Sequence, residues 1–151
     1  MHTSTIMKTP FGFLKLAANE NALIECCFTD EKKISKTGSD ILKIASDQLS
    51  AYFLGKLKKF DLPLAPNGTE FQKKVWAALC KIPYGDTRSY KEIAIEIRNP
   101  KACRAVGSAN GSNPICIIIP CHRVVCSSGN MGGYSSGIAH KKELLDLEFT
   151  C

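Results

Sequence analysis

A cysteine and a histidine stand side by side at positions 121 and 122, inside the otherwise apolar stretch IIIPCHRVVC. Cysteine reacts as its thiolate, and an ordinary thiol is only slightly ionised at neutral pH. A neighbouring histidine can take the proton, directly or through a water molecule, and a carboxylate such as Glu148 can orient that histidine. Cys121, His122 and Glu148 therefore predict a nucleophilic cysteine with its own base.

The proline before this pair decides whether the two side chains can cooperate. On a strand, Cys121 and His122 would face opposite ways. Pro120 favours extended backbone before it and lacks a donor, so a strand over 115–119 should end there and a turn can bring both side chains to one pocket. An alternative stays open, because free cysteines are among the most buried residues: an inert buried cysteine beside a surface histidine.

Two other cysteine chemistries fit less well. A cysteine protease would need a glycine motif for an oxyanion hole before the cysteine, and the sequence has none. A zinc site is disfavoured because the eight cysteines include no C-x-x-C pair, and the adjacent Cys26 and Cys27 would point to opposite faces of a strand. We expect neither a metal nor another cofactor.

Composition places the chain among soluble globular proteins. It has 151 residues, of which 44% are hydrophobic and 23% charged, with a net charge of +6. A positive charge favours a polyanionic partner, although scattered lysines also coat surfaces that bind nothing. The sequence shows neither a signal-peptide core nor an apolar run of membrane-helix length. We expect a cytoplasmic protein, or a nuclear one if the source is eukaryotic, with no membrane partner.

The first 60 residues predict a small α/β unit. Residues 11 to 28 alternate apolar and polar around Asn19-Glu20-Asn21, which predicts a hairpin. A helix should follow, with Ser39 as its N-cap and Gly55 as its stop. Its apolar stripe comprises Ile41, Ile44, Ala45, Leu49, Tyr52 and Phe53. The proline-containing stretch after it predicts a linker. We therefore place an N-terminal domain at 1–62, a linker at 63–68 and a second domain at 69–151.

The second domain carries the signals of a helix-turn-helix with a wing. Three short helices should begin at the N-caps Thr69, Ser89 and Asn99. Pro100 suits the first position of the third helix, and Gly111 can close that helix. Strands at 115–126 and 131–135 would form the wing. A last helix from Ile138 to Leu147 would pack Leu144, Leu145 and Leu147.

The third helix is unusual because most of its residues are small. Small side chains cannot read base edges across a major groove, but they let a helix backbone approach the narrow minor groove. Arg104 is the exception, long and cationic in the middle of this smooth face. The alternative is that the small residues pack helix on helix while Arg104 extends to solvent.

Several motifs in fixed order carry a family resemblance: IPYGDTRSYKEIA, RAVGSANGSNP, PCHRVV, GNMGGYSSG and the closing KKELLDLE. The chain resembles the methylated-DNA protein-cysteine methyltransferases, also called O6-alkylguanine-DNA alkyltransferases. The resemblance covers residues 69–148 almost continuously and residues 1–66 in outline. It implies a mixed α/β (α+β) fold, with a small N-terminal α/β domain of ribonuclease H-like outline and a winged helix-turn-helix domain that holds the active site.

The same resemblance implies DNA repair by direct reversal in a single turnover and without a cofactor. Cys121 would irreversibly accept the alkyl group of O6-alkylguanine, and of O4-methylthymine, after the base is rotated out of the duplex. His122, through a water molecule and Glu148, would help remove the thiol proton. Asn113 would brace the turn that carries the cysteine, and Tyr90 would give the leaving purine a proton or hydrogen bond.

Contacts to base and DNA also follow from the resemblance. Ser135 and Val124 would contact the flipped base, and Arg104 would enter the stack from the minor groove. Contacts to the DNA backbone or groove are implied for Gln72, Lys91, Asn99 and Ser127. We expect a monomer that binds double-stranded DNA with alkylated bases.

Two features depart from some relatives, and two other function classes remain open. The stretch NGSN lacks a basic residue found there in some relatives, and Cys116 replaces a proline, which alters the bulky adducts that fit. A non-catalytic lesion sensor is the first alternative, but such relatives replace the reactive cysteine that this chain keeps. A transcriptional regulator is the second, but the third helix lacks the long polar side chains that read base edges.

Overall fold

The computed structural model of the chain describes residues 2–33, 39–134 and 137–150. The chain divides into two compact units, one extending to Asn67 and the other running from Gly68 to Thr150. The fold is mixed α/β, as predicted, with a small sheet in the first unit and mostly helices in the second. Within the described ranges, the helices are all too short or too polar to cross a membrane.

An antiparallel sheet of three strands in the order β1-β2-β3 forms most of the first unit. The strands are β1 (Thr3–Thr9), β2 (Gly12–Ala18) and β3 (Leu23–Thr29). Asn19 closes the turn between β2 and β3, because its side-chain oxygen accepts hydrogen bonds of 2.8 Å from the N–H groups of Asn21 and Ala22. The predicted hairpin is confirmed, whereas β1 lies outside the segment that was predicted to be extended.

Helix α1 (Asp40–Phe53) packs against this sheet. The side chain of Ser39 accepts a hydrogen bond from Leu42, so the predicted N-cap is confirmed. Gly55, at φ 74°, follows the helix end in the left-handed conformation that glycine tolerates. The predicted stripe is partly wrong, because Ile44 is 41% exposed. Packing against the sheet instead buries Leu42, Ala45, Leu49 and Tyr52.

The second unit begins with helices α2 (Glu70–Leu79) and α3 (Tyr90–Glu96), which start in the same way. Each N-cap side chain accepts a hydrogen bond from the N–H three residues later, and the side chain at that later position accepts one from the cap N–H. Two otherwise unpaired donors are satisfied by this reciprocal arrangement. The predicted N-caps Thr69 and Ser89 are confirmed.

Helix α4 (Cys103–Gly111) starts later than predicted. Its N-cap is Ala102, so the predicted N-cap Asn99 and the first helical position assigned to Pro100 are wrong. The N–H of Ala102 donates to the carbonyl of Asn99 at 3.0 Å, which closes a separate turn before the helix. Proline also suits the second position of a β-turn, and here the turn prevails. This turn joins α3 to α4.

The predicted wing strands are largely wrong. Of the described residues in 115–126 and 131–135, a strand is formed by Val124–Val125 (β5), which pairs in parallel with β4 (Arg88–Ser89). The isoleucine-rich run before it is buried as a compact loop. Its apolar character therefore reflects burial in the core, not an extended backbone.

Helix α5 (Ile138–Thr150) closes the unit and extends three residues beyond the predicted end. It buries Leu144 and Leu145, as predicted, while Leu147 is half-buried. Two charged side chains of this helix, Lys141 and Glu148, are buried as well. Through these two side chains, α5 contributes to the candidate site.

Candidate active site

Cys121 begins a short 3-10 turn, Cys121–Arg123, that follows a tight turn at Pro120. The N–H of Cys121 donates to the carbonyl of Ile119 at 2.7 Å, and Pro120 between them has φ −80° and ψ 64°. This geometry is an inverse γ-turn. Cys121 is 1% exposed and His122 is fully buried. The predicted turn is confirmed, and the alternative of a surface histidine is wrong.

A second tight turn lies just upstream, around Ile117. The N–H of Ile118 donates to the carbonyl of Cys116 at 2.8 Å, and Ile117 between them has φ 71°. A β-branched residue rarely adopts this left-handed region, and holding it there costs on the order of 1–3 kcal/mol. The loop that presents the cysteine is therefore strained, and the surrounding contacts must hold it.

Asn113 supplies two of those contacts. Its Nδ2 donates to the carbonyl of Ile119 at 2.8 Å, and its Oδ1 accepts from the N–H of Ile115 at 3.0 Å. One side chain thus spans the loop at both ends. A further amide, buried Asn110 of α4, donates from Nδ2 to the carbonyl of Cys121 at 3.3 Å. Sequence reasoning missed Asn110, because an amide in a small-residue helix gives no signal of burial.

The thiol of Cys121 sits in surroundings that favour its protonated form. Burial raises the pKa of Cys121 from 9.0 to about 12, while hydrogen bonds with the side chains of Asn113 and Tyr134 lower it. The thiol is therefore protonated at neutral pH, and its proton must leave in the course of a reaction. Tyr134 was not singled out from the sequence.

His122, Glu148 and Arg123 form one buried network. Nε2 of His122 lies 2.6 Å from Oε2 of Glu148. Arg123 meets the same carboxylate with two donors, Nε to Oε1 at 2.8 Å and Nη2 to Oε2 at 3.0 Å. The N–H of Gly85 also donates to Oε1, at 3.3 Å. Burial opposes ionisation of Glu148, but the hydrogen bonds from His122 and Arg123 hold its pKa at about 2.

The imidazole of His122 has one ring nitrogen that is available to accept a proton. Burial lowers its pKa below 6.5; Glu148 raises it, and Arg123 and Lys141 lower it further. A neutral imidazole has one N–H, and at Nε2 that N–H donates to Glu148. Nδ1 then carries a lone pair, and it has no hydrogen-bond partner among the residues the structure describes. It can therefore accept a proton.

Tyr90 lies half-buried at the start of α3, with its ring against Gly107 of α4. Burial raises the pKa of its phenol, and nearby thiols, including those of Cys126 and Cys121, raise it further. The hydroxyl therefore keeps its proton at neutral pH and can donate it or form a hydrogen bond.

Lys141 is a buried cation that sequence reasoning missed. Its Nζ donates to the carbonyl of Val124 at 2.6 Å and to that of Gly133 at 3.1 Å, and it lies 6.0 Å from the centre of the Tyr90 ring. The buried residue Val124 contributes its carbonyl to this contact. Lysine side chains are rarely buried, so this role of Lys141 was not predictable from the sequence.

Helix α4 has one buried and one exposed face. The buried face consists of Val106, Ala109 and Asn110. The exposed face consists of Arg104 and small residues. The indole N–H of Trp76 donates to the carbonyl of Ala109 at 2.8 Å, which ties α4 to α2. Arg104 is therefore the one long side chain among the exposed residues of α4, which are Cys103, Arg104, Ala105, Ser108 and Gly111.

The other candidate DNA contacts differ in their surroundings. Lys91, Asn99 and Ser127 are exposed. Gln72 is half-buried, and its side-chain oxygen accepts a hydrogen bond of 2.9 Å in the cap of α2. Ser135 lies outside the described residues. Across the ranges described, no three His, Cys, Asp or Glu side chains are grouped so that they could hold a metal ion.

Two family models match the chain. The model described as the DNA binding domain of 6-O-methylguanine DNA methyltransferase matches residues 70–150. The model described as the ribonuclease-like domain of 6-O-methylguanine DNA methyltransferase matches residues 3–66. Together they account for nearly the whole chain.

Similar proteins and solved structures align with nearly the whole chain. A methylated-DNA–protein-cysteine methyltransferase of Methanosarcina barkeri is 53% identical in an alignment of 149 positions that covers 95% of this chain and 94% of that protein. The crystal structure of Mycobacterium tuberculosis O6-methylguanine methyltransferase has a TM-score of 0.90 at 44% identity, covering 99% of this chain and 94% of that one. A structure of Mycobacterium tuberculosis OGT in complex with DNA has a TM-score of 0.89 at 46% identity, covering 97% and 92%.

Proposed function

Since this chain belongs to the 6-O-methylguanine DNA methyltransferase family, we propose that it repairs alkylated DNA by direct reversal with Cys121 as the acceptor. The observation that carries this assignment is the short turn in which a buried thiol is followed by a neutral imidazole with an available Nδ1. Such a pair is an activated nucleophile. The protein is consumed by the reaction, because the thioether that forms is not hydrolysed.

The chemical step moves one alkyl group and one proton. Nδ1 of His122 takes the thiol proton, directly or through a water molecule, and Glu148 stabilises the resulting imidazolium. The sulfur of Cys121 then bonds to the alkyl carbon as the bond from that carbon to guanine O6 breaks. The electron pair of the broken bond stays on the purine, which takes a proton or hydrogen bond from Tyr90. Asn113 holds the loop in place throughout.

DNA is the macromolecular partner, and the exposed face of α4 fits the minor groove. A target base lies inside the duplex, so it has to be rotated out before Cys121 can reach it. The small residues of α4 let its backbone approach closely, and Arg104 fills the space left in the stack. Ser135 and Val124 contact the flipped base. The protein acts as a monomer, and its contacts to the DNA backbone come from Gln72, Lys91, Asn99 and Ser127.

Transfer of a labelled methyl group tests the proposal. The protein is incubated with duplex DNA carrying a labelled O6-methylguanine, and the label on each cysteine is measured by peptide mass spectrometry. We expect one label per protein, on Cys121, and none in Cys121→Ala, while the matched control Cys27→Ala, on β3 of the first unit, keeps full transfer. A duplex with O4-methylthymine forms a second arm. Label on a Cys121→Ala protein contradicts the assignment, and binding to damaged DNA without transfer would instead indicate a lesion sensor.

A further inference from the structure

Arg123 is a buried guanidinium that is held on several sides. Two of its nitrogens donate to the two oxygens of Glu148, and Nη1 donates to the carbonyl of Ile82 at 2.7 Å. The centre of the Tyr84 ring lies 5.7 Å from Cζ of Arg123. On the α2 side, burial raises the pKa of the Cys80 thiol and the charge of Arg123 lowers it, so the two groups interact. A forked guanidinium in this position has one orientation and cannot turn away from the carboxylate.

A carboxylate with no other cation beside it would raise the pKa of the histidine that it bonds. The pair would then exist as imidazolium and carboxylate over a wider pH range, because the anion favours a proton on its neighbour. An imidazolium has an N–H on both nitrogens and accepts nothing. With Glu148 unpaired by any other cation, His122 would therefore lose its ability to accept the proton of Cys121 at a higher pH.

We propose that Arg123 is a positioning residue that keeps His122 in its neutral, proton-accepting form by supplying the counter-charge of Glu148. The carboxylate then orients the imidazole through Nε2 without needing a second cation. Arg123 acts through Glu148 and touches no reacting atom. This inference rests on the proposed function of His122 as acceptor of the Cys121 proton.

Burial and Lys141 act on the imidazole in the same direction as Arg123, and Glu148 opposes them. Glu148 and Lys141 face it from α5, and Arg123 and the thiol of Cys121 lie on its own turn. With His122 neutral, this buried set holds two cations and one anion. A proton on His122 would make three cations against one anion, in a site with little solvent to screen them. The pKa of His122 is lowered by burial first, and Arg123 and Lys141 add to that effect against Glu148.

The pH dependence of single-turnover methyl transfer separates this role from a merely structural one. Arg123→Gln removes the cation and keeps a polar side chain, while Arg123→Lys keeps the charge and loses the fork. In the unchanged protein we expect the rate to persist as the pH falls below 6.5, the ordinary pKa of histidine. In Arg123→Gln, His122 pairs with Glu148 as an imidazolium, so we expect the acid limb to move up by about one pH unit or more.

The outcomes are distinct. Transfer by Arg123→Gln should fall about tenfold for each pH unit below its new midpoint, and Arg123→Lys should restore the profile of the unchanged protein. A loss by the same factor at every pH, or a profile that coincides with that of the unchanged protein, would overturn the proposal.

A second measurement does not depend on methyl transfer. The nitrogen NMR signals of the His122 ring are followed with pH in the unchanged protein and in Arg123→Gln. In the unchanged protein we expect one protonated nitrogen, Nε2, to persist as the pH falls below 6.5, and in Arg123→Gln we expect the second proton at a higher pH than in the unchanged protein. A ring in the unchanged protein that gains its second proton at or above pH 6.5, or a ring in Arg123→Gln that titrates as in the unchanged protein, would overturn the role of Arg123. If these shifts are seen but no methyl group is transferred, the proposed function fails and the role of Arg123 is supported.

Discussion

The hydroxyl oxygen of Tyr90 lies only 2.8 Å from the point that a Cβ atom on Gly132 would occupy. Real Cβ atoms essentially never come within 3.0 Å of a heavy atom outside their own residue and its chain neighbours, so any other residue at this position would push the tyrosine aside. Gly132 also has φ 74°, a left-handed conformation that glycine adopts without penalty. The close approach of the loop after β5 to Tyr90, the first residue of α3, therefore requires glycine at position 132.

Gly132→Ala should therefore slow methyl transfer by displacing Tyr90. Misplacing a catalytic group by about 1 Å can cost on the order of a hundredfold in rate. Gly129→Ala is a matched control, because Gly129 has φ 91° and no neighbouring atom near its Cβ position. Both variants should lose about 1 kcal/mol of stability in thermal unfolding, while the single-turnover rate should fall in Gly132→Ala. Equal rates for the two variants would contradict the contact.

Arg104→Ala should impair repair more than it impairs general DNA binding. Its side chain is proposed to enter the base stack, which matters when a base is flipped and less when the protein sits on intact duplex. The matched control is Lys91→Ala, an exposed cation on α3 that is proposed to contact the DNA backbone. That change should weaken binding and repair in proportion and reduce the salt dependence of binding by about one phosphate contact. Equal losses of binding and repair in Arg104→Ala would rule out its place in the stack.

Stability should fall in acid because two buried groups bind fewer protons in the folded state. The pKa of Glu148 is about 2 against an ordinary 4.5, and that of His122 lies below 6.5. A group with a depressed folded pKa contributes stability above its unfolded pKa and loses it as the pH falls towards the folded one. Urea unfolding should therefore show a free energy that declines below about pH 6.5 and more steeply between about 4.5 and 2.

Glu148→Gln should flatten the decline in the free energy of unfolding between about pH 4.5 and 2, since position 148 then has no carboxyl group to titrate. The control is Glu96→Gln, at an exposed position, and it should keep the original curve. A Glu148→Gln protein with the same acid dependence would show that another group is responsible.

Methylated protein should melt at a lower temperature than the unreacted protein. Cys121 is 1% exposed in a strained, tightly bonded loop, so an added methyl group must displace its neighbours. Overpacking of this kind costs about 1–3 kcal/mol. Calorimetry before and after reaction with methylated DNA measures the change, and Cys121→Ser treated in the same way provides the baseline. Identical melting of reacted and unreacted protein would refute this expectation.

Helix starts were predictable because their signals are local. Ser39, Thr69 and Ser89 cap helices through hydrogen bonds to residues within one turn, and all three were recognised. Asn99 was also predicted to be a cap, and that prediction was wrong, because Asn-Pro is an equally good signal for a turn and the contacts of α4 with its neighbours decided between them. The start of α4 therefore depends on tertiary structure.

The loop before Cys121 could not be read in the same way. A run of isoleucines is consistent with a buried strand or with any other buried segment. Its shape depends on Asn113 bonding to both Ile115 and Ile119 and on a positive φ at Ile117, which the β-branched side chain argues against. The turn at Pro120 was predicted from the sequence, whereas the second tight turn around Ile117 was not.

The buried charged side chains are the other part of the site that was incompletely predicted from the sequence. Cys121, His122 and Glu148 were recognised from their chemistry, and the structure joins the last two at 2.6 Å. Arg123 and Lys141 were not, because basic side chains are rarely buried and the packing of α5 over the 3-10 turn encloses both. Roles that depend on enclosure are visible only in three dimensions.

The bond from Trp76 to Ala109 makes α4 optically observable. Trp76 is the single tryptophan of the chain, it is 2% exposed, and its indole is bonded to the backbone of that helix. Indole emission responds to polarity and to hydrogen bonding, so one emitter reports on one helix without any label. Stopped-flow fluorescence can therefore time the docking of α4 on a duplex separately from the loss of the thiol.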